Sequence, residues 1–300
     1  QCNAHLIGNI TKPVQLSEVD RLLHKLESFI SPLNNTEVPL NESELLHAIS
    51  HNQVTPFYQP KENRATKQVT SIEVLGRIVS EDEGTTLLPH RFIGPAEDLD
   101  LINLITFQLF EKATEEFKSI RSELCHPARL AFNLSPSQLN DPSCPDKLAL
   151  ILELNRLTPQ DIILEITEHL PLESNTQLET MNRLRIRGFE ISLDDFGTGF
   201  TNLHQLKSLP FTEIKIDRSL ITHVESDRFS QVIIDSLVDI AQNERLSIVA
   251  EGVERIEELQ YLDRYKHNLL MQGFLICRPK PKQEFIRWIH SWLRMTNSNS

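Results

Sequence analysis

Eight polar residues that could do chemistry together are scattered through this chain of 300 residues. They are Glu73 in "SIEVLGR", Asn133 in "LAFNLS", Glu165 in "ILEITE", Asp194 and Asp195 closing "ISLDD", Lys215 in "EIKID", Glu251 ending "SIVAE" and Gln272 following "NLLM". Glu73, Asn133, Glu165, Asp194, Asp195 and Glu251 all offer oxygen, and none offers sulfur or imidazole. Hard cations prefer that set, so Mg²⁺ or Mn²⁺ is expected rather than zinc or iron. Five carboxylates in one pocket would repel one another severely, and a single divalent ion would not neutralise them; two ions fit better. Two metals about 3.5–4 Å apart, sharing a bridging carboxylate, serve in-line displacement at phosphorus.

The doubled carboxylate poses a geometric problem. Adjacent residues of a strand point to opposite faces, so Asp194 and Asp195 can serve one site only if the chain leaves strand geometry there. Gly197 and Gly199, two of only nine glycines in the chain, follow at once and permit such a kink. On that reading Asp194 bridges the two ions and Asp195 binds the second.

The elements that must carry these residues alternate along the chain. Strands are expected near 54–59, 69–76, 129–134, 161–166, 189–194, 213–216, 246–250 and 269–273, with the longest helices near 100–120, 174–187, 227–243 and 281–293. Asn41 and Glu44 can form a capping box for a further short helix. Eight β-then-α units in one long body predict an α/β fold, a TIM-like (β/α)8 barrel rather than a doubly wound sheet. Nearly every chemical residue falls late in its strand, the end of an α/β barrel where active sites are built. "LAFNLS" can send Phe132 and Leu134 outward to the helices while Asn133 points inward. The expected organisation is a strand-turn-helix head over residues 1–30, a linker over 31–40 ("SPLNNTEVPL"), and the barrel over 41–295.

Composition sets bounds on the function. The balance of 42 acidic against 30 basic residues gives a net charge of −12, which disfavours a nucleic-acid polymer or a membrane surface as partner. An anionic substrate must therefore find its positive charge locally. Cys2, Cys125, Cys144 and Cys277 show no CxxC spacing, which suggests neither a disulfide framework nor a thiolate zinc site and makes the cytoplasm the expected compartment. No apolar stretch approaches the roughly 20 residues needed to span a bilayer.

From about Leu45 to Trp288 the chain resembles the EAL-domain phosphodiesterases that hydrolyse cyclic dimeric GMP in bacteria. The signature Glu-Ala-Leu-x-Arg appears as "EVLGR", keeping Glu73, Leu75 and Arg77 with Val74 in place of alanine. "NLSPSQL", "LEITE", "DDFGTGF", "IKIDRS", "VAEGVE" and "MQGFLICRPKP" follow in the family's order. The resemblance implies that Glu73, Asn133, Glu165 and Asp194 hold one metal, and Asp194, Asp195 and Glu251 the other. It implies that Lys215 orients or polarises the attacking water, that Gln272 supports it, and that Glu168 holds the "DFGTG" loop. Gln59, Leu75, Arg77 and, more weakly, Asp217 become the residues that contact substrate. A barrel whose first strand runs opposite to the rest, a homodimer formed near the "DFGTG" loop, and hydrolysis of one diester to the linear dinucleotide pGpG are implied as well. The head resembles the last strand, Lys-Pro turn and closing helix of a response-regulator receiver domain, with Lys12 and Pro13 at the turn; the receiver's phosphoacceptor aspartate would then lie upstream of Gln1.

Each residue alone has an ordinary explanation: a solvated glutamate, a helix-capping aspartate, a surface lysine. Their joint placement carries the reading. Two alternatives stay open, a catalytically silent receptor or scaffold of the same fold, and an unrelated metal-dependent barrel such as an enolase-type lyase.

Overall fold

A computed structural model describes residues 38–80, 84–167, 174–197, 206 and 209–297. The expected head and most of the expected linker lie outside the described residues. In chain order the described elements are α1 (Glu42–Ser50), β1 (Val54–Asn63), β2 (Gln68–Ser80), β3 (Thr85–Leu87), α2 (Ile93–Asp98), α3 (Ile102–Glu123), β4 (Arg129–Asn133), α4 (Cys144–Leu154), β5 (Ile162–Thr167) and α5 (Asn175–Arg187). They continue with β6 (Glu190–Phe196), β7 (Glu213–Ile216), α6 (Arg218–Ile221), α7 (Arg228–Glu244), β8 (Ser247–Ala250), α8 (Ile256–Leu262), β9 (Leu270–Met271), β10 (Lys280–Pro281) and α9 (Lys282–Asn297).

A tight connection sets the topology. Asn63 Oδ1 accepts the backbone N–H groups of Ala65 and Thr66 at 3.0 and 3.1 Å, and Lys67 takes a left-handed φ of 55°. A turn this short can only reverse the chain, because a parallel neighbour needs a crossover of a dozen residues or more. β1 is therefore antiparallel to β2, and also to β9 on its other side. All other neighbours around the ring, from β2 through β4, β5, β6, β7 and β8 to β9, are parallel. Since β1 pairs with both β2 and β9, the sheet closes into an eight-stranded barrel, with β3 and β10 appended outside the ring. The barrel and its reversed first strand match the expectation.

Period-2 alternation sorts side chains between two environments. Ile72, Val74, Leu130, Phe132, Leu164, Ile166, Ile191, Leu193, Ile214, Ile216 and Ile248 belong to one buried cluster shared with the surrounding helices. Phe132 meets Phe110 of α3 with ring centroids 4.5 Å apart, and full burial of each such side chain stabilises by roughly 1.5–3 kcal/mol. The intervening residues Glu73, Glu165, Ser192, Asp194, Glu213 and Lys215 are buried as well, but on the inner side. The barrel is thus apolar outside, while its inner face mixes these polar and charged groups with Ala131, Ile163 and Val249. A smaller apolar cluster of Leu40, Leu45, Ala48, Val54, Ile78, Phe92, Ala96, Ile102 and Ile105 joins α1, α2 and the start of α3 to the ends of β1 and β2.

The long helices fall where periodicity placed them, and Asn41 and Glu44 form the expected capping box of α1. β1 and β9 differ from their expected bounds, and β2 runs past its own to Ser80. β1 runs on to Asn63 through Pro60, which stays in register with Ile72 although proline removes a ladder donor, and a register shift follows at Lys61/Glu62. The strand expected over 269–273 shrinks to Leu270–Met271, because the chain beyond it lies against another backbone segment. A Cβ on Gly273 would stand 2.1 Å from the carbonyl oxygen of Val253. Buried Glu258 secures the same region, accepting N–H groups from Glu254 and Arg255 at 3.0 Å and from His223 at 3.2 Å.

Two stability measurements check this packing. Gly273→Ala should destabilise by about 3 kcal/mol, the upper range for overpacking, because a carbonyl cannot rotate away as a side chain can; an unchanged urea midpoint would show that the backbones can separate freely. Glu258→Ala should cost about 2–3 kcal/mol by stranding buried donors, with a matching fall in the same midpoint.

Candidate active site

The doubled carboxylate is resolved at Asp195 itself. β6 and β7 stay in register through Leu193 and Ile214, then resume at Phe196 and Ile216, so β6 carries one extra residue. Asp195 absorbs it with a left-handed φ of 58°, its N–H donating to Asp194 Oδ1 at 3.0 Å. Aspartate is among the few residues that tolerate this conformation. Gly197 follows at φ 112°, where a Cβ would come within 2.7 Å of Leu220. The sequence reading placed the kink at Gly197 and Gly199; the structure places its first step at Asp195, and Gly199 lies outside the described residues. In consequence, carboxylate oxygens of Asp194, Asp195 and Glu251 all lie within 4.8 Å of one another.

A buried lysine stands among the acids. Lys215 Nζ is 2.6 Å from Glu251 Oε1, 2.9 Å from Glu165 Oε2, 2.9 Å from Asp194 Oδ1 and 3.7 Å from Glu73 Oε2. Burial works against its charge, but Asp194, Glu165, Glu251 and Glu73 together hold its pKa well above the ordinary lysine range. Burial likewise opposes the charge of Glu165, yet Lys215 and Lys61 pull its carboxyl down to about 2. Glu73 behaves oppositely: burial, reinforced by neighbouring Glu165, pushes it up to about 7. Glu251 is also driven well above the usual carboxylate range, chiefly by burial.

Neutral amides complete the ring. Asn133 Nδ2 donates to Glu73 Oε1 at 3.0 Å, and Gln272 Nε2 donates to Glu73 Oε2 at 2.5 Å and to Gln59 Oε1 at 3.1 Å. Gln59 in turn donates to the carbonyl of Cys277 at 2.9 Å. Gln272 Oε1 is buried without a hydrogen-bond partner among the described residues. Six carboxylates, Glu213 included, meet two buried lysines here, an excess of four negative charges when all are ionised. An all-oxygen donor set with that excess fits hard divalent cations.

These groups open into a cavity of about 810 Å³, whose lining includes Gln59, Glu73, Leu75, Asn133, Glu165, Asp194, Asp195, Lys215, Glu251 and Gln272. Phe92, Ile93, Ile105 and Leu109 supply an apolar side. Arg77 follows Glu73 and Leu75 at period 2 on β2 and is buried within electrostatic reach of Glu73; its guanidinium donates to the Gly76 carbonyl and lies 5.5 Å over the Phe57 ring. Asp217 is the N-cap of α6, accepting from Ser219 N–H, while its neighbour Arg218 reaches the cavity. Glu168 lies outside the described residues. Glu73, expected late in its strand, sits in the middle of β2, which continues past the ring to pair with β3; its pairing with β4 covers only Ser71 to Val74.

Sequence reasoning missed Lys61 and Glu213. Lys61 Nζ lies 2.6 Å from Glu165 Oε1 and 2.8 Å from Glu213 Oε1, all three groups being buried. Burial opposes its charge, and Glu165 and Glu213 outweigh that and raise its pKa. Period-2 spacing from Gln59 and from Lys215 could have found both, since residues two apart on a strand share a face.

Comparison with known proteins agrees with this architecture. The EAL domain family profile matches residues 42–279. The cyclic di-GMP phosphodiesterase RocR of Pseudomonas aeruginosa is 30% identical over 287 residues, covering 94% of this chain and 72% of RocR. Other curated relatives are longer, and the chain spans only 30% to 49% of the three that follow in similarity. Among solved structures, the PaMucR phosphodiesterase in complex with c-di-GMP matches with a TM-score of 0.73 at 32% identity, over 80% of this chain and 99% of that one. Klebsiella pneumoniae BlrP1, in a complex with manganese and cyclic di-GMP, matches with a TM-score of 0.67 at 26% identity, over 77% of this chain and 57% of that one. With a closed barrel, one reversed strand and a profile match over most of its length, this chain belongs to the EAL-domain family.

Proposed function

We propose that this protein hydrolyses one phosphodiester bond of cyclic dimeric GMP to the linear dinucleotide pGpG, with two Mg²⁺ or Mn²⁺ ions. The observation that carries the reading is the convergence of Asp194, Asp195 and Glu251 within 4.8 Å, achieved through a left-handed aspartate. Glu73, Asn133, Glu165 and Asp194 would hold one ion, and Asp194, Asp195 and Glu251 the other. When bound, such ions supply Lewis acidity toward a phosphoryl oxygen and a lowered pKa for an attacking water. Lys215, already bonded to three of the acids, is placed to hold the ring of carboxylates together and to orient the water. Gln272 has a buried carbonyl oxygen with no partner among the described residues, available to accept a hydrogen bond from that water. A cavity of about 810 Å³ falls in the roughly 300–1,000 Å³ range of small-molecule sites. The curated and solved relatives that bear the name phosphodiesterase, and the complexes with c-di-GMP, support the choice of substrate.

Incubation with cyclic dimeric GMP and Mn²⁺, followed by chromatography, should yield pGpG. Asp195→Asn and Glu73→Ala should each lower turnover at least about 100-fold, since even partners that only support a metal ligand cost 10–100-fold. Binding of the intact nucleotide with no pGpG formed would replace the enzyme by a receptor.

Chelation is an independent check. EDTA should abolish turnover, and Mn²⁺ or Mg²⁺ added in excess should restore it, whereas Ca²⁺, which accepts more ligands at longer distances, should restore little. Full activity in EDTA would exclude the metal-dependent mechanism.

A further inference from the structure

Lys61 lies one layer below the groups just described. It sits on the reversed strand β1, two residues beyond Gln59, and pairs across the sheet with Ser71, whereas Gln59 pairs with Glu73. Glu213 is at the corresponding depth on β7, two residues before Lys215. Pairing from β5 through β6 to β7 aligns Glu165 with Ser192 and Ser192 with Glu213. Lys61 crosses the barrel interior to reach both acids, and its side chain is fully buried.

The two oxygens of Glu165 have different partners. Oε1 accepts from Lys61 at 2.6 Å, and Oε2 accepts from Lys215 at 2.9 Å, on the side of Asp194, Glu251 and Glu73. A glutamate with two free oxygens can turn about its last bond and ligate through either one or both. Here one oxygen is tied from beneath. Fold stability alone does not call for this arrangement, because buried ion pairs are commonly replaceable by apolar groups at little cost. Ser71 and Ser192 at neighbouring inner positions have hydroxyls without hydrogen-bond partners among the described residues, so the layer is not a saturated polar core with Lys61 as one of many interchangeable members.

We infer that Lys61 is a positioning residue. It holds Glu165 Oε1 so that only Oε2 faces the cation site, and Glu213 anchors Lys61 in that pose. The inference rests on the proposed metal-dependent reading of the site, and assigns roles to two residues outside its set of metal ligands.

Calorimetric titration of the metal-free chain with Mn²⁺, without nucleotide, separates the two. Lys61→Met should weaken Mn²⁺ binding about 10–100-fold, the usual effect of removing a group that orients a ligand. The double variant Lys61→Met/Glu213→Leu removes the stranded acid as well, and should fold with a melting temperature near that of the wild type while its Mn²⁺ affinity stays low. Glu213→Gln, which retains a weaker acceptor for Lys61, should lie between wild type and Lys61→Met. Equal Mn²⁺ affinity in the wild type and a folded Lys61 variant would overturn this inference and leave the phosphodiesterase reading intact. A wild-type chain that binds no Mn²⁺ would remove both. Recovery of full affinity in the double variant would also overturn it, by showing that an unpaired Glu213 rather than a freed Glu165 caused the loss.

Discussion

Mutual repulsion of acids inside a closed barrel is the constraint on which the rest of this structure depends. Glu73, Glu165, Asp194 and Glu251 lie around one lysine, with Asp195 and Glu213 close by. In an interior of low polarity, like charges at such separations interact far more strongly than in water. The chain answers with Lys215 in the centre and Lys61 beneath, which hold Glu165 ionised; Glu73 and Glu251 are pushed upward by burial first and by the neighbouring acids second. A site that would carry four negative charges in excess with every carboxylate ionised suits added cations rather than neutrality.

That constraint explains why the inner and outer faces of the barrel differ so sharply. The outer faces carry isoleucine, leucine, valine and phenylalanine against the helices, and supply the apolar burial that offsets the cost of ordering the chain and of desolvating the ionic layer. TIM-like barrels more often fill their interior with branched apolar side chains. This one gives up part of that packing to bring carboxylates from five strands and strand ends to one point. Gly273 and Glu258 belong to the same economy of space: the first lets the segment after Gln272 lie against Val253, and the second ties down the loop that leaves Glu251.

Much of the candidate site was legible because strands have a strict period. Once eight strands are placed, Asn133 between Phe132 and Leu134, or Glu165 between Leu164 and Ile166, must face inward. The same period would have found Lys61 and Glu213, but "QPKEN" carries a proline and the bulge that follows it, and a lone lysine there reads as solvated. Arg77 and Asp217 entered the reading by resemblance alone, and periodicity does not reveal the contacts that the structure shows for them, a ring face for one and a helix cap for the other.

The order of residue types by itself determined the α/β barrel and the inward set of oxygen donors, because these follow from local periodicity; the reversal of β1 was implied only by the family resemblance, and the short Asn63–Gln68 connection that requires it is seen in the structure. Only the tertiary structure decided that Asp195 turns left-handed to stand beside Asp194, and that Lys61 reaches across the barrel to one oxygen of Glu165. Both depend on register between strands distant in the chain, and register is set by the closure of the whole sheet, which no local window contains.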